Sequence, residues 1–86
     1  MELEIRVTDP SGAITKDVLF RAQDTNTVRD LIEVLVDVME WPRETLSGAP
    51  ITYGARRLGN EAVIDDKTVV LALGIERGDV LVLGAS

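Results

Sequence analysis

The 86-residue sequence contains no cysteine and no histidine. Without cysteine, disulfides, thiolate nucleophiles and iron–sulfur clusters are excluded. Without histidine, the chain lacks the commonest general base and the commonest metal ligand. Its three serines have no activating base arranged around them, and its glycines do not match either phosphate-binding spacing. We therefore predict a protein that is not an enzyme, with no catalytic, cofactor-binding or metal-binding residues.

Basic residues are also scarce. The chain has nine lysines and arginines but fifteen acidic residues, which gives a net charge of −6. Nucleic acids and anionic membranes both require concentrated positive charge, so neither is an expected partner. Arg56 and Arg57 are the only adjacent basic pair. We interpret this pair as part of a solvated turn, which leaves proteins as the expected partners.

Aromatic residues make up only 3% of the chain, so aliphatic side chains must supply most of the 45% hydrophobic content that forms a core. No apolar run reaches the length of a membrane span, and no stretch resembles a secretory leader. The length fits a single domain over residues 1–86.

The strongest pattern in the chain predicts a helix over residues 27–41 (TVRDLIEVLVDVMEW). Thr27 is suited to the N-cap position, and Asp30 follows at the spacing of a capping box. Pro42 is expected to end the helix. Apolar residues recur at helical spacing and predict one buried stripe; they are Val28, Leu31, Ile32, Leu35 and Met39.

The first 22 residues predict an antiparallel hairpin. Residues 2–8 alternate apolar and polar side chains, and residues 14–22 do so with Val18 and Phe20 inward and Leu19 outward. The turn signal at residues 9–12 (DPSG) joins them, and so short a connection requires antiparallel strands.

The second half predicts shorter elements. Residues 51–53 suggest a third strand followed by a turn at 54–55, residues 69–73 a single helical turn, and residues 80–83 a closing strand. The helix is long enough to cross the sheet. A right-handed crossover would then place the last strand beside the first and parallel to it.

Three motifs add a resemblance to this element order: residues 53–58 (YGARRL), 66–68 (DKT) and 73–81 (LGIERGDVL). Together with the hairpin and the helix start, they resemble the ubiquitin-like β-grasp fold over nearly the whole chain. The resemblance implies an α+β domain with a mixed sheet of four or five strands. This sheet would pack on one main helix at about 27–41, with a short helical turn near 69–73.

The opening of the chain is similar to a narrower group. Residues 8–12 (TDPSG), 17–18 (DV), 24–25 (DT) and 27–28 (TV) resemble the N-terminal domain of some actinobacterial FtsK/SpoIIIE-type ATPases and the YukD-like domains of type VII secretion systems. This resemblance implies a docking or assembly module at the N-terminus of a longer protein. It would lie in the cytoplasm, tethered to the plasma membrane through its parent. Its partners would be other proteins, other domains of the same chain or a second copy.

A ubiquitin-like modifier or sulfur-carrier protein is the alternative function. Such proteins end in a flexible Gly-Gly tail whose carboxylate is activated, whereas this sequence ends Leu83-Gly84-Ala85-Ser86. A precursor cut after Gly84 would expose one glycine only. The tail therefore favours the docking module.

Two surfaces are candidate interaction sites. The apolar patch of ubiquitin falls near Thr52, Leu81 and Leu83 by motif alignment, and Leu19 is a further apolar residue expected on the same outer sheet face. These residues either form an interface or are scattered surface aliphatics. The second candidate is an acidic helix face that either docks a basic partner or is simply solvated; it comprises Glu33, Asp37 and Glu40. Pairing of an edge strand with a partner is a further binding mode open to such a sheet.

Overall fold

The computed structural model describes residues 1–85. Its elements in chain order are β1 (Glu2–Thr8), β2 (Thr15–Arg21), α1 (Val28–Met39), β3 (Tyr53–Arg57), a 3₁₀ turn (Val70–Leu73) and β4 (Val80–Ala85). The four strands form one sheet in the order β2-β1-β4-β3. β1 pairs antiparallel with β2 and parallel with β4, and β3 pairs antiparallel with β4. The predicted mixed sheet, with its first and last strands parallel neighbours, is confirmed.

Helix α1 begins where the sequence predicts it and covers one face of the sheet. The Asp30 carboxylate accepts a hydrogen bond from the backbone N–H of Thr27 at 3.0 Å, as expected of a capping box. The five residues of the predicted apolar stripe are all buried, together with Val36. This stripe packs on the inner sheet face and forms the core.

The helix ends at Met39, two residues earlier than predicted. Glu40 adopts a left-handed conformation with φ of 57°, and the N–H of Trp41 donates to the carbonyl of Val36 at 3.2 Å. Because Trp41 precedes a proline, it is disfavoured in the helical region. The backbone therefore leaves the helix before Pro42. Trp41 then packs against Tyr53 with ring centroids 5.5 Å apart, partly covering the core.

The β1–β2 hairpin follows the predicted alternation. Its inner residues are buried, namely Ile5, Val7, Val18 and Phe20. In the turn, the Asp9 carboxylate accepts hydrogen bonds from the N–H of Ile14 at 3.0 Å and from the hydroxyl of Ser11 at 2.6 Å. These bonds stabilise the ionised carboxylate and hold the pKa of Asp9 below its usual value, the Ile14 bond being the largest cause.

The prediction for the third strand is wrong in position. Gly54 and Ala55 are not a turn but lie inside β3, where Gly54 pairs with Gly84 and Ala55 with Leu83. A Cβ on Gly54 would lie 3.2 Å from Cγ1 of Val63, so glycine here marks a close approach of the following loop. The Gly-Ala pair therefore reflects packing and not chain reversal.

The interpretation of Arg57 as a solvated turn residue is also wrong. It lies in β3 and donates hydrogen bonds to the carboxylate of Asp79, at 3.0 Å, and to the carbonyl of Leu73. Asp79 accepts a further bond from the N–H of Glu76 at 2.9 Å, and this bond is the largest cause that lowers the pKa of Asp79. Arg57 thus ties β3 to the turn that leads into β4.

Candidate protein-interaction surface

The four residues predicted to share an apolar outer patch do not come together. Leu81 and Leu83 lie on the inner sheet face and are 0% exposed, so their assignment to an outer surface is wrong. Thr52 is exposed just before β3, at the opposite edge of the sheet from Leu19 on β2. Of the four, only Leu19, with 57% exposure, is a large apolar side chain on the outer sheet face as predicted.

The burial of β4 on both sides explains this correction. The strand is apolar at four successive positions, so the sequence carries no alternation that assigns its faces, and a shift of one residue exchanges them. Val82 points to the outer face yet is only 3% exposed. Nearby, a Cβ on Gly84 would lie 3.0 Å from Cγ of Pro10, so the β1–β2 turn covers this part of the outer face.

The outer surface of the hairpin is the exposed part of the sheet, and its charges are paired. Arg6 contacts Asp17 at 2.9 Å, Arg77 contacts Glu4 at 3.2 Å, and Arg21 lies 3.9 Å from Glu2. Leu19 lies at the centre, directly opposite Glu4 on β1. We call this surface the hairpin face; it comprises Glu2, Glu4, Arg6, Asp17, Leu19, Arg21 and Arg77. It is charge-balanced, although the chain as a whole carries −6.

A shallow groove of about 570 Å³ crosses the hairpin face. It runs between the hairpin and the turn before β4, and its lining includes Arg6, Asp17, Leu19 and Arg77. Its lining therefore combines apolar side chains with charges of both signs. Such a surface offers a partner both apolar contact and directional polar contacts.

The Arg6–Asp17 pair keeps its charges over a wide pH range. The hydrogen bond from Arg6, followed by the attraction of its charge, lowers the pKa of Asp17. The hydrogen bond to Asp17, followed by the negative charge of Asp17, raises the pKa of Arg6. Both groups are thus ionised at neutral pH. They present one negative and one positive charge next to each other in the lining of the groove.

Two of the three carboxylates on the acidic helix face share one arginine, which lies outside the helix. Arg43, in the loop after α1, donates hydrogen bonds to the carboxylates of both Glu33 and Asp37, and to the carbonyl of Glu33 at 3.2 Å. These bonds raise the pKa of Arg43, Asp37 being the larger cause. Glu40 remains exposed at the helix end. The face therefore offers a basic partner less free negative charge than its sequence suggests.

The adjacent acidic residues Asp65 and Asp66 serve local structure. Asp65 accepts a hydrogen bond from the N–H of Lys67 at 2.9 Å, and Asp66 accepts one from Arg29 at 3.0 Å.

In residues 1–85, no three acidic side chains converge in a way that could hold a metal ion. Over the same residues, no helix is both long enough and apolar enough to cross a bilayer.

Comparison with known proteins identifies the architecture. No protein-family model and no curated protein matches this sequence. Among solved structures, a ubiquitin of Caldiarchaeum subterraneum is 15% identical, with a TM-score of 0.65 over 100% of this chain and 95% of that one. The C-terminal ubiquitin-like domain of mouse tubulin-specific chaperone e is 16% identical, with a TM-score of 0.62 over 100% and 88%. A designed protein based on human erythrocytic ubiquitin is 20% identical, with a TM-score of 0.58 over 100% and 92%. At these identities the similarity concerns the fold, and the chain therefore has the ubiquitin-like α+β fold.

Proposed function

We propose that this chain is a non-catalytic protein-interaction module. In this proposal it is the N-terminal ubiquitin-like domain of a bacterial FtsK/SpoIIIE-type ATPase or of a related type VII secretion-like membrane complex. It assembles that complex from the cytoplasmic side by binding a protein through the hairpin face. The observation that carries the proposal is the hairpin face itself, where an exposed leucine lies among paired charges beside a groove.

Composition and packing support an interaction role. The chain has no cysteine or histidine, and its paired carboxylates contact arginines or backbone N–H groups. The leucine side chains of β4 are buried in the core. What the domain offers a partner is thus its folded surface. The motifs at residues 8–12, 17–18, 24–25 and 27–28 are similar to those of secretion-system domains.

The modifier or sulfur-carrier alternative is weakened by the position of Gly84. This glycine lies inside β4, where it pairs with Gly54 of β3 and is covered by Pro10. A protease that cuts after Gly84 would have to separate β4 from β3 and from the hairpin turn. A flexible tail glycine would face no such barrier.

Site-specific photo-crosslinking in the native host tests the proposal. A photoreactive amino acid is placed at Leu19 of the full gene product and, as a matched control, at the fully exposed Leu46 in the loop after α1. We expect position 19 to crosslink at least about tenfold more efficiently than position 46, because a specific interface excludes most of the surface. Mass spectrometry should identify the product as a second copy of the chain, an ATPase domain or a membrane-complex subunit.

Equal yields at positions 19 and 46 would contradict the use of the hairpin face. An adenylate, thiocarboxylate or isopeptide at the carboxyl end of the protein would instead support the modifier alternative.

A further inference from the structure

Strand β2 forms an edge of the sheet whose backbone is open. Met1 and Ala22 exchange two backbone hydrogen bonds, at 2.7 and 3.0 Å. In an antiparallel pair, hydrogen-bonded and non-bonded pairs alternate, so every second residue of β2 directs its N–H and C=O away from β1. These residues are Thr15, Asp17, Leu19 and Arg21. In the part of the chain that the structure describes, their backbone groups form no hydrogen bond.

The other edge of the sheet is less accessible. The N–H of Ile64 donates to the carbonyl of Ala55 at 2.8 Å, so the loop after β3 already occupies part of that edge. Val63 also packs over Gly54 in the same strand. A partner strand would meet this loop before it reached β3. The edge open to a new strand is therefore β2.

We infer that β2 pairs with β2 of a second copy of this chain, forming a symmetric dimer with one continuous eight-stranded sheet. This inference rests on the proposed role of the hairpin face as a contact surface, and it names the partner. A twofold axis that relates two identical edge strands makes them antiparallel. The axis passes through Leu19, so Leu19 faces its counterpart and Asp17 faces Arg21 of the second copy.

Charge complementarity selects this register. Within one copy, Arg6 lies opposite Asp17 and Glu2 opposite Arg21. Across the dimer, one row of side chains begins with Arg6 and Asp17 of the first copy and continues with Arg21 and Glu2 of the second copy. The charges in this row alternate in sign. The twofold axis generates a second, identical row. Opposite charges on neighbouring strands are favourable, and like charges are unfavourable.

Other registers lose this complementarity. Moving the axis to Val18 or Phe20 places Leu19 opposite Asp17 or Arg21, so an apolar side chain faces a charge. Moving it to Asp17 or Arg21 places two like charges opposite each other. The Leu19 register is the one that pairs apolar with apolar and positive with negative.

The inner face of the edge does not oppose the dimer. In this register Val18 lies opposite Phe20 of the second copy, so apolar residues meet. Lys16 would otherwise deter pairing, since an inward lysine on an edge strand commonly protects against it. Its ammonium already donates to the carbonyl of Val38 at 3.0 Å, and the residue opposite is the small Ala22.

Charge-reversal variants of the full chain test the dimer by analytical ultracentrifugation at about 1 μM to 1 mM protein. We expect the wild type to dimerise across this range. Asp17→Arg alone and Arg21→Asp alone should each weaken dimerisation by at least about tenfold, since each places like charges opposite each other. An equimolar mixture of the two variants should restore it, because positions 17 and 21 then carry opposite charges at both contacts of the mixed dimer. Circular dichroism of each variant verifies folding, since exposed ion pairs contribute little to stability.

A monomeric wild type throughout this range would overturn the dimer. So would single variants that dimerise as the wild type does, or a mixture that stays monomeric. If any of these results accompanies a position-19 crosslink to another protein, the dimer fails while the interaction module stands. Crosslinks from position 19 that reach a second copy, together with the dimer, would support both this inference and self-association as the way in which the proposed module assembles.

Discussion

Replacing Leu81 with aspartate is expected to abolish the folded state at 25 °C. Leu81 is 0% exposed between Val7 on β1 and Arg57 on β3. Loss of the buried leucine side chain lowers the free energy of unfolding by about 2–5 kcal/mol. The buried and unpaired charge of the aspartate lowers it by several kcal/mol more. An 86-residue domain has a free energy of unfolding of only about 4–13 kcal/mol. Circular dichroism and amide NMR dispersion measure the loss.

The matched control for this substitution is Leu46→Asp. Leu46 is fully exposed, so the same chemical change there should leave the spectra and the free energy of unfolding nearly unchanged. A folded Leu81→Asp domain would mean that β4 presents its leucines to solvent, and the inner and outer faces described above would be exchanged.

The second large effect is expected for Leu35→Ala at the centre of α1. Leu35 is 0% exposed against the sheet, and its truncation leaves a cavity that the surrounding strands cannot close. We expect the free energy of unfolding to fall by about 2–5 kcal/mol. Urea denaturation measures the change as a lower midpoint with an unchanged slope.

Leu46→Ala is the control for the helix variant because it deletes the same atoms from an exposed position. Its expected change is within about 0.5 kcal/mol. Equal midpoints for Leu35→Ala and the wild type would show that α1 does not pack on the sheet through this stripe.

Elements with a strong local pattern were predictable from the sequence. The helix and the hairpin combine a periodic apolar stripe with their own start and turn signals, and both occur at the expected places. The parallel neighbours β1 and β4 followed from the crossover rule. In each case the information lies within a short stretch of chain or in a general rule of topology.

Features that depend on contacts distant in sequence were not predictable in the same way. Gly54 and Ala55, which resemble a turn in sequence, pair with Gly84 and Leu83 of β4 about 30 positions away. Arg57 forms an ion pair with Asp79, which lies 22 positions later in the sequence. Arg43 forms ion pairs with two carboxylates of the preceding helix. The faces of β4 were missed because its apolar run has no alternation. Tertiary packing decided each of these outcomes.

These corrections change where a partner is expected to bind. With the leucines of β4 buried and two of the helix acids paired with Arg43, we propose the hairpin face and its open β2 edge as the contact surface. The surface combines one exposed leucine, balanced charge and unpaired backbone groups. Each of these is a feature through which protein chains recognise one another.

Hydrogen–deuterium exchange, resolved by residue, tests this claim most directly. It compares the dilute isolated chain with the chain in the assembly recovered from its host. We predict that the amides of Asp17, Leu19 and Arg21 exchange rapidly in the dilute chain and become protected in the assembly, whereas the amides of residues 43–50 do not change. Protection gained along α1 or at the β3 edge, with β2 unchanged, would contradict the account.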